Sequence, residues 1–197
     1  MGKSFHGNVV LNFRKDSLSE FGAYAEAYHE AGKLLVCRLD ESEGYSDIQA
    51  CPIVFLYRHA LELYIKGIII DGNNILSLLG KTPVVDTNDL GKHDLLPLIP
   101  AIKQVFTAIG WLTENKGTKE VEEVVEIIKC FNGLDSNSFS FRYPVNKKGL
   151  SILSENFILN VVEFAKKADP VFDLLDGAIV GLSEEWQTRA DNAYENN

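Results

Sequence analysis

The stretch CPIVFLYRHALELYIKGIII, Cys51 to Ile70, constrains the fold more than any other part of the chain. It is too long for an ordinary strand. Wound at 3.6 residues per turn it is apolar almost all round, which places it at the centre of a helical bundle. Pro52 is tolerated in a first turn, so a helix is predicted over 50–70, with DGNN at Asp71–Asn74 ending it. Arg58, His59, Glu62 and Lys66 interrupt the apolar surface. They rule out a membrane span, which needs about 20 nearly uninterrupted apolar residues. Arg58, Glu62 and Lys66 stand four residues apart and form one stripe, with His59 beside it. Polar groups on such a helix destabilise it unless they are paired or near water. Two readings follow. The stripe is either an internal ion-pair ladder, or it lines a cleft faced by KHD at Lys92–Asp94 and FRYP at Phe141–Pro144.

The other segments fit helices around this one. SLSE, Ser17–Glu20, has capping-box form, and Phe21, Tyr24, Tyr28, Leu35 and Leu39 recur at helical spacing behind it. Residues 71–92 read as an insertion loop. A third helix is predicted from Asp94, irregular at Pro97 and Pro100, and a fourth over 118–132 with Val121, Val124, Val125 and Ile128 on one face. A fifth is expected over 151–168. Asp169–Pro170 has the form of an N-cap and N1 proline for a sixth, followed by a frayed tail over 190–197. The sum is an all-α bundle of about six helices in a single domain, 1–197.

SFSFRYPVNKKG, Ser138–Gly149, breaks the helical pattern as an extended aromatic loop. Pro144 biases Tyr143 toward extended backbone, and Phe139 and Phe141 can anchor the loop on the bundle. Ser136 to Ser154 contains no acid, and Arg142, Lys147 and Lys148 lie inside it. This is a basic island in a protein of net charge −9, a balance that excludes a general electrostatic grip on nucleic acid but not a local one. Glu62 is expected within salt-bridge reach of Arg142, reaching inward from this loop, or of Arg58, one turn away on the same helix. Three unpatterned cysteines, Cys37, Cys51 and Cys130, read as buried thiols in a reducing compartment. The N-terminal residues lack the apolar core of a signal peptide, so a cytoplasmic protein is expected.

Several motifs are missing. GKT at Gly80–Thr82 has Ile75 where a phosphate-binding loop needs glycine. His6, His29, His59 and His93 have no metal-ligand spacing, and neither a metal nor a cofactor is expected. What remains is YRHALELYIKGII, then KHDLLPL, then FRYP. Together, over Leu56–Pro144, these resemble the HEPN family of helical proteins. The resemblance implies a helical, commonly dimeric module linked to toxin–antitoxin or phage-defence systems. It further implies an association with RNA or a nucleotide, and an antitoxin or defence protein as partner. Many members are ribonucleases with histidine four to six residues beyond an arginine. Here those positions are empty; after Arg58, for example, they hold Leu63, Tyr64 and Ile65. The expected binding set is Arg58, His59, Glu62, Lys66, His93, Arg142, Tyr143, Lys147 and Lys148, with no standard ribonuclease activity. The alternatives are a dimerisation or scaffold module with a purely structural stripe, and a ribonuclease with a non-standard site at His59 or His93.

Overall fold

The structure, a computed structural model, describes residues 20–41, 47–86, 90–135, 140–145, 148–150 and 158–195. Ser17, Phe139 and Lys147 lie outside them; Glu20, expected at the third helical position of a capping box, stands instead just before the first helix and makes no side-chain cap bond. The described residues are all-α, with five α-helices and no strand. In chain order these are α1 (Phe21–Asp40), α2 (Ala50–Leu78), α3 (Ile99–Ala108), α4 (Thr118–Leu134) and α5 (Val161–Glu195). None is long and apolar enough to cross a membrane.

α2 is the central helix, as its apolar circumference requires. It packs against α1, α3 and α5, and Ile53, Tyr57, Leu61, Tyr64, Ile65, Ile68 and Ile69 are all but inaccessible. DGNN does not stop it, contrary to the sequence expectation. Three contacts carry the helix through to Leu78. A side chain at Gly72 would stand 2.4 Å from Val105 of α3, so the glycine is there for close approach. Ile75 and Leu76 are buried. Asn73 uses its side chain on the following loop, accepting from Val84 N at 2.9 Å and donating to Val85 O at 2.9 Å.

The two helices expected at the C-terminal end are one, and this accounts for five rather than six. Pro170 lies inside α5. It withdraws one donor at a cost of about 3 kcal/mol. The helix persists because its apolar stripe is continuous across the proline. Phe164, Ala165 and Ala168 before it and Val171, Phe172 and Leu175 after it are all buried. The helix starts at Val161 because Asn160 caps it, its Oδ1 accepting the Glu163 amide at 3.0 Å.

The first turns after Asp94 are irregular, as expected. Asp94 Oδ1 accepts Leu96 N–H at 3.1 Å, and a 3₁₀ turn over Leu96–Leu98 leads into α3. Residues 140–145 are non-helical, and Ser140–Arg142 form a turn. The cysteines differ from expectation. Cys37 and Cys130 are exposed and Cys51 is half-buried, because all three sit on outer helix faces.

Candidate functional site

Glu62 is the organising residue. Its side chain is 3% exposed and meets three basic partners. Arg58 Nη1 donates to Oε2 at 3.2 Å, Lys66 Nζ to Oε1 at 2.6 Å, and His93 Nδ1 lies 2.8 Å from Oε1. The first two arise from helix geometry, since i±4 positions share a face. The third comes from the chain between α2 and α3. Burial alone would raise the Glu62 carboxyl. The hydrogen bond and charge of Lys66, the hydrogen bond from His93 and the charge of Arg58 outweigh burial and hold it below the ordinary carboxylate range. Arg58 goes the other way on balance. Burial lowers its guanidinium below the usual value, and Glu62 offsets that only in part. The asymmetry is reasonable, because Glu62 has three basic neighbours while Arg58 has one bonded carboxylate.

Arg58 does more than pair with Glu62. Its Nη2 donates to the His93 carbonyl, and its Nε lies 3.4 Å from the Asp135 carbonyl at the end of α4. The buried guanidinium thus fastens two connecting segments to the central helix. Asp135 in turn accepts from Ser140 Oγ at 3.1 Å, which ties down the entry to FRYP.

Of the two arginines expected near Glu62, Arg58 makes the bond and Arg142 does not. The Arg142 guanidinium carbon lies 5.6 Å from the Phe55 ring centroid and 6.0 Å from that of Tyr143. Arg58 already occupies the inner position, and a second guanidinium there would bring an excess of positive charge into a buried site. Phe55 stacks on His59 at 5.6 Å with planes 10° apart, and Tyr28 presents its edge to the same imidazole at 4.5 Å. Burial lowers the His59 pKa. Glu62 opposes that shift, while Arg142, Lys66 and His93 add to it. His59 is therefore a neutral ring packed between two aromatics.

The predicted residues therefore divide in two. Arg58, Glu62 and Lys66 form a buried, mutually satisfied cluster, as the ion-pair ladder requires. His59, His93, Arg142 and Tyr143 gather outside it, where the His93 side chain is 53% exposed and Tyr143 52%. Lys148 is exposed as well. With Nδ1 donating to Glu62, His93 has Nε2 left as a hydrogen-bond acceptor.

A second carboxylate centre went unread in the sequence. Asp169 Oδ1 accepts from Tyr57 Oη at 2.7 Å and lies 2.9 Å from His29 Nε2. His29 packs on Phe172, 4.6 Å between centroids. Burial, then the Asp169 hydrogen bond, pushes the Tyr57 hydroxyl above its usual range. The bonds join α1 and α2 to α5 beside Pro170. The only sequence signals were a histidine and a tyrosine on apolar faces, and Asp169 itself has the form of a cap. Among the described residues no group of three or more His, Cys, Asp or Glu side chains could hold a metal ion.

Comparison with protein-family models, with characterised proteins and with solved structures finds no match.

Proposed function

We propose that this chain is a HEPN-like module of a defence or stress system that binds RNA or a nucleotide, as a homodimer, without standard ribonuclease activity. One observation carries the reading. Arg142 lies over Phe55, Phe55 stacks on His59, and His93 hangs from the neighbouring Glu62. Aromatic faces next to a guanidinium and an imidazole suit unpaired bases and their phosphates. The site is local, as it must be in a chain of net charge −9. Arg58 and Lys66, spent on Glu62, support the face from below.

Catalysis of the standard kind lacks its histidine, and His59 is closed in by Phe55 and Tyr28. Binding of a short labelled single-stranded RNA, followed by fluorescence anisotropy, tests the proposal. Arg142→Ala and His93→Ala should each weaken it by about fivefold or more, the loss of roughly 1 kcal/mol. Unchanged affinity in both rejects the site. RNA recovered after incubation should be intact; cleavage that His93→Ala abolishes would assign a non-standard nuclease instead.

A second reading, a dimerisation or scaffold module, is favoured by the exposed Tyr24 and Leu34 of α1 and the complete pairing of the stripe. A dimer in light scattering that binds no RNA, with or without an antitoxin-like protein partner, would select it.

A further inference from the structure

A cavity of about 430 Å³ lies between α4, α5 and the turn before α4. None of the residues around Glu62 lines it. Its walls are Phe106, Trp111, Val121, Val124, Leu174 and Ala178, and its size falls within the range of small-molecule sites, about 300–1,000 Å³.

Two glycines of α5 explain why the space is there. A side chain at Gly181 would meet the Trp111 ring at 2.8 Å, so that glycine lets the indole lie against the helix. Gly177, one turn earlier, also lines the cavity, and a side chain there would meet nothing within 4 Å. Glycine inside a helix is destabilising by about 1 kcal/mol relative to alanine. Close packing does not account for it at position 177. What its missing side chain leaves is open volume.

The charges at the edge define the ligand. Lys116 and Glu120, both exposed, line the cavity as well. Their charges cancel, so the opening favours neither an anionic nor a cationic head group, while the walls favour apolar surface.

We propose that this cavity is a binding site for an uncharged, mostly apolar small molecule. The chain has two tryptophans, so Trp186→Phe leaves Trp111 as a reporter in the wall. N-phenyl-1-naphthylamine, an uncharged fluorescent probe, should bind saturably and take energy from Trp111. Gly177→Leu fills the space and should weaken binding by about tenfold or more without lowering the thermal midpoint. Ala178→Phe, from the adjacent position, should act in the same direction and guards against a folding defect in the first variant. Among equal-length competitors, octanol should displace the probe better than octanoate or octylammonium. Absence of saturable binding, affinity unchanged in both filled variants, or stronger displacement by either charged competitor overturns the proposal.

Discussion

Glu62 and Asp169 are both carboxylates that hold helices together, and they do it with different chemistry. Glu62 is 3% exposed and is met by Arg58, Lys66 and His93. Asp169 is 32% exposed and is met by a tyrosine hydroxyl and an imidazole. The difference follows from solvation. A carboxylate shut away from water needs opposite charge close by. One that keeps contact with water can be completed by hydrogen bonds that carry less charge. The first arrangement is fragile to loss of either sign, and the second is a modest tie.

The largest expected effect comes from removing the inner carboxylate. Glu62→Ala strands Arg58 and Lys66 and should destabilise the fold by about 3–5 kcal/mol in urea denaturation. The triple change Arg58→Met, Glu62→Leu, Lys66→Met should recover most of that. Failure to recover would mean that the ties of Arg58 to the His93 and Asp135 carbonyls outweigh the ion pairs. The same cluster has an acid limb. The Glu62 carboxyl is held below its usual 4.5, so its stabilisation is complete above that pH and is lost as pH falls through the lowered value.

Asp169→Ala should cost less, about 1–3 kcal/mol, by leaving the Tyr57 hydroxyl and the His29 ring without their acceptor. An effect equal to that of Glu62→Ala would erase the distinction between the two centres.

Asp71 sharpens the comparison, because it is a half-buried carboxyl on α2 whose environment is set by burial alone, with no charged or hydrogen-bonding group offsetting it. Burial pushes it up to about 6 from 3.8. The native state therefore binds the proton more tightly than the unfolded chain. The charged form weakens the fold fully above pH 6, and the penalty fades as pH falls toward 3.8. Asp71→Asn should raise stability at pH 7.5 by on the order of 1–2 kcal/mol, with the gain closing in acid. Thermal melts of both proteins across pH would show convergence; a constant offset would mean that the side chain acts by something other than its charge.

The smallest effect belongs to the outer face. Arg142 is exposed and lies over Phe55, a contact worth about 0.5–1 kcal/mol. Arg142→Ala should shift the urea midpoint only slightly. A loss of several kcal/mol would place Arg142 in the structural class with Arg58.

Much of this was legible in the chain. The apolar surface of α2 fixed its central place, and the four-residue spacing of Arg58, Glu62 and Lys66 put them on one stripe. His93 could be suspected from KHD, but its bond to Glu62 spans 31 residues and no local pattern encodes it. The choice between Arg58 and Arg142 stayed open for the same reason. The sequence offered two arginines for one carboxylate, and only the packed structure shows which lies inside. The ends of α2 and α5 were hidden because Asn73 and Pro170 carry strong local signals that distant contacts override.

By itself, then, the sequence determined the helical class, the central helix and the polar stripe, since periodicity and i±4 spacing are properties of a single helix. The tertiary structure alone decided that α2 continues to Leu78, that α5 runs through Pro170, and that Asp169 binds His29 and Tyr57 across 140 and 112 residues. It also decided that Gly177 opens onto a cavity. Each of these rests on surfaces brought together from distant parts of the chain. Their burial and hydrogen bonds exceed the few kcal/mol by which local preference would end a helix.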